Sequence, residues 1–177
     1  MEALARSLLR DPVRIEIAAT EQTQPDIAQR AIAVDAPRRT QLLKHLIEQH
    51  QWSRVLVFVA TQYAADHVAE KLYKAGIYAS PFHGGLSQGS RAQVLQEFKD
   101  ERWQVVVTTD LAARGIDIAQ LPAVVNYDLP RSAADYTHRI GRTGRAGQSG
   151  VAVSFITPEA EAHFQLIEKR QKQRLAR

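Results

Sequence analysis

The residues best suited to chemistry in this sequence lie between positions 138 and 145, which read His-Arg-Ile-Gly-Arg-Thr-Gly-Arg. Arg139, Arg142 and Arg145 recur at every third position, and glycines continue the same period as far as Gly150. Arginine is always charged and presents a planar fork of donors that matches phosphate oxygens. Glycine lets the backbone approach another group closely. The pattern therefore indicates a short helix and loop that present guanidinium groups to a polyphosphate, and the alternative is a solvated basic turn.

A second candidate segment, residues 83–91, reads His-Gly-Gly-Leu-Ser-Gln-Gly-Ser-Arg and follows a predicted strand. We expect Ser87 to cap the helix that begins there, because a serine hydroxyl accepts from the free N–H groups of a first helical turn. Those N–H groups also attract phosphate, and Arg91 would lie beside the same turn. The alternative interpretation is an ordinary capped helix with no ligand.

A third candidate segment, Thr108–Asp117, reads Thr-Thr-Asp-Leu-Ala-Ala-Arg-Gly-Ile-Asp. Threonine hydroxyls and backbone amides suit a sugar-phosphate backbone, because they recognise its shape and not the identity of the bases. Asp117 is a candidate acceptor for ribose hydroxyls. Asp110 and Arg114 have a second interpretation, an internal ion pair that holds the loop.

The composition is that of a soluble domain with a modest basic excess. The net charge is +4 over 177 residues, and 17 of the 23 basic residues are arginine, which favours phosphate-bearing partners weakly. Cysteine is absent, which excludes disulfides and thiolate metal sites and fits a cytoplasmic protein. The histidines are scattered, so we expect no metal site. No apolar run approaches the roughly 20 residues of a membrane span.

Strand and helix patterns alternate along the chain. Period-two or continuous apolar runs predict strands at Ala31–Val34, Val55–Val59, Tyr78–Ser80, Val105–Val107, Ala123–Tyr127 and Val151–Ile156. Helical periodicity and cap residues predict helices at Arg39–Gln49, Gln62–Ala75, Ser87–Lys99, Ser132–Ile140 and Pro158–Arg174. This alternation indicates an α/β fold, a parallel sheet between two layers of helices. Ligands of such sheets bind beyond the carboxyl ends of the strands, a rule that gathers the loops after Val59, Ser80, Val107 and Tyr127.

The first residues are set apart from this pattern. Ala3–Arg10 reads as the end of a helix that Asp11-Pro12 stops, and Val13–Ile17 reads as a strand. A polar stretch without periodicity follows at Thr20–Pro25. We therefore place a boundary there, with residues 1–24 as a separate segment and 25–177 as the compact domain.

Five segments occur in the order and spacing of the second RecA-like lobe of DEAD-box RNA helicases, a resemblance that covers Ile27–Lys169. They are Val55–Thr61, His83–Arg91, Val107–Ile118, Val125–Pro130 and Tyr136–Gly147. The resemblance implies a RecA-like fold, with ATP and Mg²⁺ held between this lobe and an N-terminal lobe and single-stranded RNA lying across both. Residues 1–24 would then be the remnant of the N-terminal lobe and the interlobe linker. That lobe carries the phosphate loop and the Asp-Glu-Ala-Asp motif, and neither occurs in this sequence, so the chain alone would be inactive.

The resemblance also implies roles for single residues. Arg142 and Arg145 would be the catalytic arginines that reach the γ-phosphate, Asp117 would contact the ATP ribose, and His138 and Arg139 would couple the lobes. The positions implied in RNA binding are Gly84, Gln88, Arg91, Thr109 and Arg114.

Other interpretations stay open at this point. The parent protein could belong to a neighbouring helicase family that acts on DNA. The chain could also be a stand-alone RNA-binding or protein-docking module that never meets ATP, or a scaffold for a protein regulator. The basic run Lys169–Arg174 is either a solvated helix end or an RNA-binding tail.

Overall fold

The computed structural model describes residues 9–17, 27–144 and 149–175, which form one seven-stranded sheet with helices. The strands are β1 Leu9–Ile17, β2 Ile27–Val34, β3 Val55–Phe58, β4 Ala79–Phe82, β5 Val105–Thr108, β6 Ala123–Asn126 and β7 Gly150–Ile156. Their order across the sheet is β1-β2-β7-β6-β3-β5-β4. Strands β2 to β7 pair in parallel, and β1 pairs antiparallel with β2. This architecture confirms the predicted α/β class.

In the described part of the chain, five helices connect successive strands from β2 to β7, and a sixth follows β7. They are α1 Arg39–His50, α2 Gln62–Lys74, α3 Gln88–Lys99, α4 Asp110–Ala113, α5 Ala133–Ile140 and α6 Glu161–Leu175, with single 3-10 turns at Ala36–Arg38 and Pro158–Ala160. Both predicted serine caps are confirmed: the side chain of Ser87 accepts from Ser90 N, and that of Ser132 accepts from Asp135 N. None of the helices in the described residues is long and apolar enough to cross a membrane.

Alternation along the strands divides the core into two layers. On one face, Val55, Val57 and Val107 pack with apolar residues of α1 and α2. On the other face, Leu56 and Val106 pack against α3 and the segment after β5, and smaller clusters join β2 and β7 to α5 and α6. A strand covered on both faces reads as a continuous apolar run, which is why β3 and β5 could be recognised from the sequence.

The register of the sheet aligns the ends of four neighbouring strands, β6, β3, β5 and β4. Phe58 of β3 lies beside both Thr108 and Asn126, and Phe82 of β4 also lies beside Thr108. Because these strands run parallel, the loops that follow them emerge side by side at one edge of the sheet. The carboxyl edge therefore brings together the candidate segments that the sequence places after β4 and β5.

Many boundaries differ from the sequence prediction by one residue, and three differences bear on how the sheet is built. Strand β2 begins at Ile27, earlier than predicted, because residues 27–33 pair with β7 along its length. Strand β4 runs to Phe82, past the predicted end at Ser80. The helix predicted to reach Arg10 is wrong at its end, because β1 already begins at Leu9. The boundary between residues 1–24 and 25–177 stays a prediction.

Candidate functional site

A cleft with a volume of about 500 Å³ opens between the segment after β5 and the second half of α5. One wall is built by residues 110–119, and the other by residues 135–144. The cleft thereby joins two of the segments that the sequence singled out, 108–117 and 138–145. The residues that line it and carry charge are Asp110, Arg114, Asp117, Asp135, Arg139 and Arg142, and His138 lies on its rim.

Arg139 is built into the interior behind this cleft. Its guanidinium donates to both carboxylate oxygens of Asp110 at 2.7 Å, to Asn126 Oδ1 at 3.1 Å and to the carbonyl of Asp128 at 2.6 Å. The side chain is only 3% exposed, and its Cζ lies 4.9 Å from the centroid of the Phe58 ring. A buried arginine is tolerated when its donors are satisfied in this way. Arg139 therefore holds α5 to the ends of three strands.

The partner of Asp110 corrects one interpretation of the sequence. An internal pair between Asp110 and Arg114 is wrong, because the carboxylate of Asp110 is occupied by the fork of Arg139. Arg114 is exposed on the cleft wall, and no described residue forms an ion pair with it. The loop is held from α5, and Arg114 keeps its charge available at the rim.

Arg142 stabilises the opposite wall through backbone carbonyls. Its guanidinium donates to the carbonyls of Ala113 at 2.9 Å, Ile116 at 2.6 Å and Ile118 at 3.3 Å. These contacts fix the guanidinium against the segment that follows β5. The predicted catalytic arginine therefore lies in the cleft wall, hydrogen-bonded to the backbone of the wall opposite.

The glycine-rich loop after α5 is joined closely to the sheet. Thr143 is fully buried, its hydroxyl donates to the carbonyl of Leu121, and the two residues form an isolated β-bridge. Gly150, at the start of β7, lies so near that a Cβ there would be 2.6 Å from Gly144 N and would overlap Thr143 Oγ1. This contact explains why the position requires glycine.

Two of the remaining predicted site residues are exposed in the cleft. Asp117 and His138 are both exposed and line the cleft from opposite walls. Arg145 lies outside the described residues, so its predicted role stays a prediction. The exposed groups surround an opening, whereas Arg139 and Arg142 build its walls.

The turn after β4 is organised by His83. Its ring is buried, Nδ1 accepts from Gly85 N at 3.0 Å, and Nε2 lies 2.8 Å from Asp66 Oδ1. Because Nδ1 accepts, we assign the proton to Nε2, which donates to the carboxylate. The turn is thereby fixed to α2, and Gly84 is left exposed on it.

Polar residues cap the two helices that begin at this edge. Ser87 caps α3, and Thr109 caps α4 by accepting from Ala112 N at 3.3 Å. Gln88 is exposed in the first turn of α3, and Arg91 lies half-buried one turn further, where no described residue forms an ion pair with it. The five residues implied in RNA binding therefore follow the adjacent strands β4 and β5.

Asp128 is a structural residue of the site that the sequence analysis missed. Its carboxylate accepts from Arg39 Nη1 at 2.7 Å and from Ala60 N at 2.8 Å, and its own N–H donates to the carbonyl of Phe58 at 3.1 Å. Arg39 also lies over the Tyr127 ring, 4.2 Å from its centroid. These contacts join the loops after β3 and β6. A charged residue directly after a buried strand was the available signal.

Tyr136 joins α5, the helix to which it belongs, to β2. Its hydroxyl donates to Gln29 Oε1 at 2.9 Å, and the side chain is 1% exposed. Burial raises the pKa of Tyr136 to about 12, because the phenolate would lose its hydration. A neutral, hydrogen-bonded phenol therefore holds the helix that carries Arg139 against the sheet.

The chain matches one family model and a large set of relatives. Residues 38–147 match the helicase conserved C-terminal domain. A DEAD-box ATP-dependent RNA helicase, CshA of Geobacillus kaustophilus, is 37% identical over 174 residues, which cover 98% of this chain and 37% of that protein. The chain therefore spans about a third of the length of the curated relatives it matches.

Solved structures agree with this family in fold and sequence. The E. coli DEAD-box protein SrmB, bound to regulator of ribonuclease activity A, is 35% identical with a TM-score of 0.72, over 81% of this chain and 82% of that chain. S. cerevisiae Dbp5, bound to RNA and ADP BeF3, is 32% identical with a TM-score of 0.74, over 86% of this chain and 40% of that chain. This chain belongs to the helicase conserved C-terminal domain family and is a C-terminal RecA-like lobe of the DEAD-box kind.

Proposed function

We propose that this lobe is half of an ATP-dependent RNA helicase, which binds the backbone of single-stranded RNA and completes an ATP site shared with an N-terminal lobe. The paired protein would use ATP hydrolysis to separate short RNA duplexes. The relatives that the chain matches are named as ATP-dependent RNA helicases, and S. cerevisiae Dbp5 has been solved with RNA and ADP BeF3.

The observation that carries the proposal is the composition of the cleft. Its walls are braced internally by Arg139 and Arg142, while Arg114 and Asp117 remain exposed at its rim. A site with cations for phosphates and a carboxylate for ribose hydroxyls fits one side of a bound nucleotide. In this proposal Arg142 and Arg145 contact the phosphates, Asp117 contacts the ribose, and His138 faces the other lobe.

The proposed nucleotide site is incomplete within this sequence. A Gly-x-x-x-x-Gly-Lys-Ser/Thr loop, which holds phosphates and positions Mg²⁺ in related hydrolases, does not occur in it. The residues of this chain would supply positive charge to the far side of the phosphates. ATP and Mg²⁺ would be held mainly by the N-terminal lobe, and closing the two lobes would complete the site.

The proposed RNA surface is the edge formed by the turn after β4 and the start of α4. Gly84 and Gln88 offer exposed backbone and amide groups, and Arg91 and Arg114 supply charge. Thr109 contributes as the cap residue of α4. Such contacts recognise the backbone and not the bases, so binding would be insensitive to sequence and would weaken as salt rises.

The experiment that tests the proposal is ATP hydrolysis, with and without single-stranded RNA, by this chain joined to its natural upstream sequence. The same assay on the chain alone is the control. We expect RNA-stimulated turnover from the joined protein only. Turnover by the chain alone, or none by either, would contradict the proposal, and the second result would favour a binding or docking module.

A further inference from the structure

Three tyrosines are strongly exposed among the described residues, and one of them lies at the carboxyl edge of the sheet. Tyr63 is 77% exposed, Tyr78 64% and Tyr73 56%. Tyr63 is in the first turn of α2, directly after β3. Tyr73 and Tyr78 lie at the other end, where α2 finishes and β4 begins, and their rings pack edge to face at 6.4 Å. Only Tyr63 is therefore placed near the proposed RNA surface.

The ring of Tyr63 is oriented by its neighbours. Thr61 caps α2 by accepting from Ala64 N at 3.0 Å, which fixes the first turn. One turn further, the His67 ring lies 5.8 Å from the Tyr63 ring with an interplanar angle of 12°. Nearly parallel rings with this separation form a stacked pair, which leaves most of the tyrosine surface open to solvent.

The same turns of α2 are fixed to the turn after β4. A Cβ at Gly85 would lie 3.0 Å from Gln62 Oε1, and one at Gly84 would lie 3.4 Å from Gln62 Nε2. Asp66, between Tyr63 and His67 in the sequence, accepts from the buried His83. The stacked pair is therefore on a rigid support next to the exposed Gly84.

We propose that Tyr63, backed by His67, is a stacking platform for an unpaired base of the RNA strand whose backbone lies along the turn after β4. Every nucleobase has an aromatic face, so stacking tolerates any sequence and adds to backbone contacts. The contacts of Gln62 and Asp66 in α2 with the turn after β4 place the platform where a base can turn away from a bound backbone. The inference rests on the proposed function, because it needs RNA to bind this edge.

The test measures affinity of this chain for a short single-stranded oligoadenylate over a range of salt concentrations. Tyr63→Ala should weaken binding by about fivefold or more, the lower end of measured base stacking on aromatic residues. The salt dependence should stay unchanged, because no cation is removed. Tyr63→Phe should retain the wild-type affinity, and Tyr78→Ala is the matched control at the far end of the sheet.

A second measurement reports on stacking directly. An oligonucleotide that carries 2-aminopurine should lose fluorescence on binding the wild-type chain and should regain it with Tyr63→Ala. If the wild type binds RNA and Tyr63→Ala binds within about twofold of it, the platform is wrong while the RNA surface stands. If the wild type binds no RNA, both the proposed RNA surface and the platform are wrong.

Discussion

The cleft and the turn after β4 both contain arginine and glycine, but they use these residues differently. In the cleft, Arg139 and Arg142 donate to the chain itself, and Gly150 permits close contact with Thr143. At the turn, Gly84 is exposed, and none of the described residues forms an ion pair with Arg91. The difference teaches that an arginine motif can be structural first: the cleft is preorganised by its own cations, whereas the turn is an open surface.

We expect the largest effect on ATP turnover, measured with this chain joined to its natural upstream sequence. Arg145→Ala should lower kcat by about a thousandfold or more, because arginines that stabilise phosphoryl transfer contribute about 10³–10⁵ in related hydrolases. The measurement is single-turnover ATP hydrolysis, with Arg170→Ala as the control. A kcat within about tenfold of the wild type would show that this arginine does not stabilise the reacting phosphate.

Stability should respond most to Arg139. Arg139→Met removes four hydrogen bonds and leaves Asp110 without its cation, so we expect a loss of about 3 kcal/mol in the free energy of unfolding. Urea denaturation checks this value. Arg114→Met, at an exposed position of the same cleft, should stay within about 0.5 kcal/mol of the wild type. Equal effects of the two substitutions would contradict the structural role of Arg139.

The buried phenol of Tyr136, a residue of α5, predicts a loss of stability in alkali. Burial raises the pKa of Tyr136 to about 12 in the folded chain, above its unfolded value of about 10. The contribution is therefore complete below pH 10 and is lost as pH rises towards 12, and it amounts to roughly 2–3 kcal/mol. Urea denaturation between pH 9 and 12 measures it. Tyr136→Phe, which cannot ionise, should lose less stability over this range.

A smaller effect separates Gly150, at the start of β7, from a glycine in a helix. Gly150→Ala should cost about 1–3 kcal/mol, because the added methyl group overlaps Thr143. Gly89, in the first turns of α3, has open space where a Cβ would lie. Gly89→Ala should therefore stabilise the chain by roughly 0.5–1 kcal/mol, since alanine favours helix. Thermal denaturation of the two variants would contradict the packing argument if both were equally stable.

Much of the fold could be predicted from local pattern. Continuous apolar runs marked β3 and β5 because both faces of those strands are covered, and hydroxyl residues marked the starts of α3 and α5. The edge strand β1 was harder, because its early residues have no alternating pattern and its position depends on pairing with β2.

The candidate site was predictable in its members and not in its contacts. The sequence singles out Arg139 and Arg142 together, since both belong to one periodic motif. It does not indicate which arginine turns inward, because that depends on where Asp110, Asn126 and Asp128 meet at the ends of β5 and β6. The second interpretation of Asp110, a pair with the nearby Arg114, is wrong for the same reason: its partner Arg139 is distant along the chain and is brought to it by the fold.

The most direct test of the contrast compares two arginines in this chain, Arg91→Gln at the surface and Arg142→Gln in the cleft wall. We expect Arg91→Gln to weaken RNA binding and lower the salt slope by about one, with the free energy of unfolding within about 0.5 kcal/mol of the wild type. Arg142→Gln should cost about 1–2 kcal/mol of stability and leave RNA affinity nearly unchanged. The reverse pattern, or equal effects of both on RNA affinity, would contradict the division between a preorganised cleft and the proposed RNA surface.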